Sequence, residues 1–574
     1  MQLPPQPPHS QAAAQNKGYL ALAVGIVLLA FTIRVIALFS LPLFIDEAAH
    51  IYRAFQVQAG KLFPGLEHQK WLYTVVLAAF RPDGPESVWL ARTLSALLST
   101  ITVAAAIALA RLLTRRAGCH TLASWAGLAA GLIYALLPMA VFHERQALVD
   151  PMQAAFAAVA TLTMIRLVRR PTLPLAALLT LCLAGAVLTK TSSLVYLPLP
   201  IAAAVLLARR STFWRSLELG AALGLTAWAS LRIVTRIAEQ SGAILRASHR
   251  PSLDNTLLTS LSSPETQAML RAHLGNIVEA LVGYVGWAVL GLAALALLWL
   301  LQSRAWRESL FLALPALAFI LPLVIFKQVT GRGYVPPRYL LPNTFPLVAL
   351  AACSLALLID RVRRFSPAAA GGAGAALLAA TLLPALRFDA RLICNPAETP
   401  FTSVDYNQYL ENYNGFATQQ AARALIDAWR AGGEQHIGIM GFGAEISALN
   451  SYLGPRAAVF ADLTARETDP QGILSQWLIS ESQVFIVDRL DHGAVSGMNV
   501  AVAESIGVYE GLDMLRVTGA EGELADQVYV RLAGEPLFMA ADYEALAATL
   551  AQETAPRSIV VFPPTHAPEL SRYT

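Results

Sequence analysis

Two adjacent carboxylates, Asp46 and Glu47, end a long apolar run in "LPLFIDEAAHIYRAF", and His50 and Arg53 follow within two helical turns. A helix starting near Asp46 puts Asp46, His50 and Arg53 on one face, at i, i+4 and i+7, and points Glu47 elsewhere. A carboxylate at the edge of an apolar phase is partly desolvated, which suits it to general-base work. Other ionisable residues stand at comparable boundaries. "HERQALVD" supplies Glu144, Arg145 and Asp150, and "LTKTSS" supplies Lys190. "KQVTGRGYVPPRYLLP" supplies Lys327, Arg332, Arg338 and Tyr339. Lysine and arginine are the side chains that clamp a phosphate. Base plus clamp beside an apolar phase suits transfer of a group from a lipid phosphate. The phosphate departs with the lipid, and the cations stabilise the charge that develops on it.

Each of these residues also has a plainer use. Asp46 and Glu47 could cap a helix and mark an interface. Arg145 and Asp150 could be an ion pair that closes a loop, and Lys190 could snorkel to the membrane surface. Arg34, inside the first apolar run, is expected to pack or pair rather than touch a substrate. Tyr406, Tyr409 and Tyr413 read as interface or core aromatics.

The elements that must hold these groups are membrane spans. Of 574 residues, 56% are hydrophobic and 14% charged, with a mean hydropathy of +0.52; soluble domains are about a quarter charged. The bias stops near Leu386. Residues 1–386 carry 31 Lys+Arg against 14 Asp+Glu, a net of +17, whereas residues 387–574 carry 11 against 24, a net of −13. A span needs roughly 20 mostly apolar residues. That rule places spans near 19–41, 88–110, 121–141, 151–167, 173–189, 192–208, 216–235, 280–301, 309–326, 340–359 and 367–386, eleven in all.

Alternate loops between these spans are short, basic and nearly free of acids. They carry Lys17; Arg111, Arg115 and Arg116; Arg166, Arg169 and Arg170; Arg209, Arg210 and Arg215; Arg304 and Arg307; and Arg361, Arg363 and Arg364. The positive-inside rule assigns them, and the N-terminus, to the cytoplasm. Loops 42–87, 142–150, 236–279 and 327–339 then face outward, as does the acidic tail. The expected architecture is a polytopic α-helical membrane protein in the plasma (inner) membrane, with a C-terminal extracytoplasmic α/β domain over 387–574. The Pro/Gln/Ala-rich residues 1–18 are expected to be disordered. Cys119, Cys182, Cys353 and Cys394 imply no disulfide framework.

In the tail, "TQQAARALIDAWRAGG" reads as an amphipathic helix ending at Gly432 and Gly433. "HIGIMGF", "AAVFADL", "SQVFIVDRL", "DQVYVRL" and "SIVVFPP" read as strands. "GFGAEI" lacks the third glycine of a dinucleotide fingerprint and reads as a turn.

The order of the short motifs resembles the GT-C superfamily of polytopic glycosyltransferases. The likeness is nearest to the protein O-mannosyltransferases and the lipid A aminoarabinose transferases (family 39-like). It is carried by "LFIDEAAHIYRA", "HQKWLYTVVLAAF", "VWLARTLSALLSTITV", "HERQALVDPM" and "PPRYLLPNTFP". The resemblance implies a GT-C-like fold and a polyprenyl-phosphate-linked sugar as donor. It implies a protein, glycolipid or glycan acceptor, with no nucleic-acid partner. Asp46 then corresponds to the base that activates the acceptor, Glu47 to its companion, and Asp150 to a second-loop acid. Lys70, Arg145, Arg338 and Tyr339 correspond to the donor-phosphate site. Prolines usually follow the family's lysine, whereas Trp71 and Leu72 follow Lys70. Some members hold a divalent metal between the two acids; Asp46, His50 and Asp150 are the set that could do so here. A secondary transporter or lipid flippase is the alternative. Such proteins show repeat symmetry and mid-membrane polar sites, and neither is visible in this sequence.

Overall fold

The computed structural model describes residues 9–63, 70–240, 263–303, 305–325, 334–411, 415–441, 443–462, 473, 477, 483–489, 500–509, 512–520, 529–530 and 538–539. Lys327, Arg332, Tyr413 and the expected strand at 558–564 lie outside them. The described chain forms two units. The first comprises residues 1–41, 56–81 and 89–411; the second comprises residues 42–55, 82–88 and 412–574.

The first unit is helical because its sequence is long apolar runs, and a backbone in lipid must satisfy its own hydrogen bonds. Helix α1 is His9–Val35; α2, Ile45–Gln58, crosses from the second unit into the first; α3 is Trp71–Ala79; and α4 is Ser87–Arg116. Next come α5 (Ala123–Ala135), α6 (Pro138–Glu144), α7 (Asp150–Leu167), α8 (Leu173–Thr189), α9 (Leu199–Leu207) and α10 (Phe213–Gln240). The series ends with α11 (Pro264–Ala280), α12 (Trp287–Leu301), α13 (Trp306–Ile325), α14 (Thr344–Arg363), α15 (Pro367–Cys394) and the short α16 (Ser403–Tyr406).

Among the described residues, six helices are long and apolar enough to cross a membrane, or eight if each of two bent pairs counts as one span. The first pair, α5 and α6, bends by 53°, where Pro138 opens α6. The second, residues 264–285 with α12, bends by 101° at Gly286. Its φ of +83° is a conformation that glycine adopts without steric cost. Three of the eleven expected spans, on α7, α8 and the 191–207 stretch, are not among these eight, and the first expected span runs past the end of α1 at Val35. Helix α1 starts at His9, inside the segment expected to be disordered; its alanines 12–14 are strong helix formers. The helical unit also runs on past Leu386 to Glu411.

Helix α7 is almost wholly buried, and Ala154, Ala155, Ala157, Ala158 and Ala160 let its neighbours approach closely. It packs against α8 and against a 3-10 turn, Pro337–Asn343. That second contact positions the candidate site.

The second unit is built on a five-stranded sheet of β1 (Ile437–Gly441), β2 (Ala458–Asp462), β3 (Gln483–Arg489), β4 (Val500–Tyr509) and β5 (Leu512–Ala520). The order is β2-β1-β3-β5-β4, with β1 parallel to β2 and β3, and β5 antiparallel to β3 and β4. Ile439 pairs with both Phe460 and Phe485 at its centre. Helix α17 (Gly415–Ala431) buries Ala417, Ala421, Ala422, Leu425 and Trp429, the stripe its periodicity requires. It packs against α18 (Gly443–Leu453), which directly follows β1. Strands β4 and β5 were not expected, because "VAVAESIGVY" mixes small and polar residues. A two-residue ladder, β6 (Tyr529–Val530) with β7 (Phe538–Met539), completes the described strands.

Candidate active site

The acidic pair belongs to the second unit. Asp46 and Glu47 open α2, and its first eleven residues are held by the C-terminal segment. The Leu43 N–H donates to the Tyr452 hydroxyl at 2.9 Å, and Ser451 Oγ donates to the Ala48 carbonyl at 3.1 Å. The neighbouring loop is gripped in the same way. Arg456 pairs with Glu86 at 2.9 Å and lies 3.8 Å from Asp83. Gly454 has a φ of +73°, and an added Cβ there would fall 2.4 Å from the Asp83 carbonyl oxygen. Glu47 is fully buried, and its Oε1 accepts the Phe44 N–H at 2.9 Å, closing the helix start. Asp46 remains half-buried. His50 Nδ1 and Arg53 Nη1 lie 3.2 Å apart, as a shared helix face requires.

In the first unit, Asp150 opens α7 and Lys190 follows the last residue of α8. Lys190 Nζ donates to Asp150 Oδ1 at 2.6 Å and lies 3.8 Å from the Tyr339 ring centroid. Arg338 Cζ is 5.6 Å from the same ring. Two cations therefore lie within 6 Å of one aromatic ring, contacts worth roughly 0.5–2 kcal/mol each. Gln153 fixes the strap after Lys190 by donating to Ser192 Oγ at 3.0 Å and Ser193 Oγ at 2.9 Å. Pro336 and Pro337 set the 3-10 turn that presents Arg338 and Tyr339. The partner of Asp150 is thus Lys190, not Arg145. Lys190→Met is expected to lower stability by about 1–3 kcal/mol, because it strands a buried carboxylate. The double variant Lys190→Met/Asp150→Asn should recover most of that loss in thermal-unfolding measurements.

Arg145 has a structural duty. Its Nη2 donates to the Ile36 and Ala37 carbonyls, each at 2.6 Å. Arg92 donates to the Leu38 and Leu41 carbonyls, and Arg34 to those of Ala30, Tyr134 and Ala135. Arg92 and Arg145 thereby take carbonyls just past α1, where Ala37 has a φ of +48°, and Arg34 ties α1 to the end of α5. Arg34 also pairs with Glu144 at 2.7 Å, as expected of a cation inside a span. Lys70 precedes α3 and makes no side-chain cap to it. The helix dipole disfavours a cation there, so helix stability does not explain this lysine.

A second polar cluster was missed by sequence reasoning. Asp405 is buried in α16, and its Oδ2 accepts from the Tyr284 hydroxyl at 2.6 Å and from Thr402 Oγ1 at 3.3 Å. His143 Nε2 lies 3.8 Å from that oxygen. Asp405 Oδ1 and both His143 nitrogens have no hydrogen-bond partner among the described residues. Phe142, Phe388, Phe401 and Tyr409 line the surroundings. The polar "VFHE" inside an apolar run was the available signal.

Burial pushes the Asp405 carboxyl up to about 7, although the Tyr284 hydrogen bond and the Arg338 charge pull it down. Unfolded aspartate titrates near 3.9. A folded pKa above the unfolded one contributes stability that is complete below about pH 4 and lost as pH rises to about 7. The loss amounts to about 4 kcal/mol. Asp405→Asn stays neutral throughout. Its thermal midpoint should gain on that of the wild type from pH 4 to pH 7 and hold a constant lead above. A difference that is flat across that window refutes the assignment.

Among the described residues, no three His, Cys, Asp or Glu side chains gather to hold a metal ion, Asp46, His50 and Asp150 included.

No protein-family model matches the chain, and no curated protein matches it by sequence. Solved structures do. ArnT from Cupriavidus metallidurans bound to undecaprenyl phosphate aligns at 15% identity and a TM-score of 0.53. The alignment covers 87% of this chain and 98% of that one. The same enzyme in its apo state aligns at 14% identity and a TM-score of 0.51, covering 88% and 99%. The chain has the GT-C fold. The short motifs from Asp46 to Tyr339 therefore lie in order on a GT-C fold, as their resemblance to that superfamily implied. Asp46 belongs to the second unit and Asp150 to the first.

Proposed function

We propose that the chain is an integral-membrane inverting glycosyltransferase. It moves a sugar from a polyprenyl-phosphate donor to an acceptor on the outer face of the plasma membrane. Eleven spans, an inside N-terminus and an outside C-terminal α/β domain complete this reading. Asp46 removes the proton from the acceptor hydroxyl. The acceptor oxygen then attacks the anomeric carbon, the bond from that carbon to the phosphate oxygen breaks, and polyprenyl phosphate leaves. Lys70, Arg338 and Lys190 stabilise the charge that develops on the departing phosphate. Asp150 orients Lys190, and Tyr339 positions both cations.

The observation that supports this reading best is the arrangement of Asp150, Lys190, Tyr339 and Arg338 at helix ends of a GT-C fold. Lys190 and Arg338 lie around one ring, with Asp150 on Lys190, and cations grouped in this way suit an anion. The ArnT structure that the chain resembles holds undecaprenyl phosphate, a ligand of that charge.

The test uses the purified chain in lipid, a panel of radiolabelled polyprenyl-phosphate sugars and a membrane extract as acceptor. Turnover of one donor with release of free polyprenyl phosphate is the expected result. No turnover, together with no binding of polyprenyl phosphate, overturns the proposal.

A further inference from the structure

Helices α1 and α4 leave an apolar trough of about 550 Å³ at their other ends. Arg111 lies nineteen residues beyond Arg92 on α4, about 28 Å along the helix, so the trough is remote from the α1 clamp. Leu20, Val24 and Leu28 form an i, i+4 stripe on α1 that faces Ala104 and Ala108 on α4. The α1 side chains of this stripe are 49–62% exposed. The trough closes on five arginines: Arg111, Arg115, Arg116, Arg166 and Arg169.

The charges of this cluster do not balance. Glu308 takes Arg169 and lies 3.8 Å from Arg116. Arg111 is stacked 4.4 Å over the Tyr19 ring, and its buried Nε has no hydrogen-bond partner among the described residues. Arg115 and Arg166 are exposed and have no carboxylate within ion-pair distance among the described residues. Burial, together with the neighbouring Arg116 and Arg209 charges, lowers the Arg169 pKa despite Glu308. An excess of guanidinium at the end of an apolar trough between two spans is complementary to a phosphate attached to a hydrocarbon chain.

We propose that this trough binds one anionic diacyl phospholipid. An acyl chain lies between α1 and α4, and the phosphate sits among Arg111, Arg115 and Arg166. The bound lipid supplies the packing that α1 lacks, since only 11% of its apolar window is buried by protein. This site is independent of the proposed transfer reaction and requires only that the chain spans a membrane.

The full chain, purified in detergent, would be titrated with phosphatidylglycerol or with phosphatidylcholine of the same chains. Bound lipid would be counted by native mass spectrometry. One phosphatidylglycerol per chain is expected, with a saturating rise in thermal midpoint that phosphatidylcholine does not give. Arg115→Gln/Arg166→Gln should weaken binding about 30-fold, from about 1 kcal/mol for each basic charge lost. Ala104→Trp fills the apolar part of the trough while keeping every arginine, and should also weaken binding. Both variants should keep the wild-type midpoint in phosphatidylcholine, which separates lost binding from lost folding. Equal retention of the two lipids overturns the proposal, as does wild-type affinity in both variants. Displacement of phosphatidylglycerol by equimolar undecaprenyl phosphate overturns the diacyl assignment.

Discussion

Asp46→Asn is expected to lower sugar transfer by about 10²–10⁴-fold, the contribution of a positioned general base. The substitution keeps the size of the side chain and removes its charge and its capacity to take a proton. It also spares the helix start, because Glu47, not Asp46, accepts the Phe44 N–H there. Donor binding should persist, since the proposed reaction assigns the phosphate to Lys70, Arg338 and Lys190. Initial rates with a saturating donor, measured beside thermal unfolding, check this. Wild-type transfer in a folded Asp46→Asn variant would remove the base from the mechanism. Glu47→Gln makes the contrast: its carboxylate is a buried structural acceptor, so that change should cost stability before it costs chemistry.

The largest stability effect is expected at Arg34 and Glu144. Both side chains are wholly buried, 2.7 Å apart. Glu144 Oε1 also accepts from the Tyr134 hydroxyl at 2.8 Å, and Thr344 Oγ1 continues the chain at 3.4 Å from that hydroxyl. Arg34→Met leaves Glu144 charged with no cation opposite it and removes three donors to backbone carbonyls. Breaking one partner of a buried pair costs about 3–5 kcal/mol. The double variant Arg34→Met/Glu144→Met should recover much of this, because two packed apolar side chains often match a buried ion pair. Unfolding midpoints of the two single variants and the double variant give the coupling directly. A single-variant loss under about 1 kcal/mol would show that the pair is not what holds α1 to α6.

Much of the fold was legible in the chain. Residues around Phe142 to Glu144 show where that legibility ended. The apolar run predicted a span there, and hydropathy cannot see that Pro138 bends it by 53° and turns His143 toward Asp405. The acidic loop makes the same point. Its composition marked Asp46 and Glu47 as unusual, but nothing local distinguishes a helix-closing acceptor from a half-buried carboxylate. That distinction follows from the Phe44 N–H and from the grip of Tyr452 and Ser451, about 400 residues away in sequence. The resemblance assigned Arg145 to the donor-phosphate site, and nothing in the sequence shows that its Nη2 is taken by the Ile36 and Ala37 carbonyls. Those carbonyls lie just past α1 and carry no sequence signal.

The sequence by itself determined the membrane class, the helical segments, the strands β1, β2 and β3, and the pairing of Arg34 within its span. These follow from hydropathy and periodicity, which are properties of neighbouring residues and require no knowledge of contacts. Tertiary structure alone decided that Lys190 joins Asp150, that Arg92 and Arg145 take carbonyls just past α1, that Tyr284 and His143 meet Asp405, and that residues 42–55 are carried by the C-terminal unit. Each of these depends on which buried polar groups are brought together once helices and strands pack. A buried charge must take whatever partner the packing offers it.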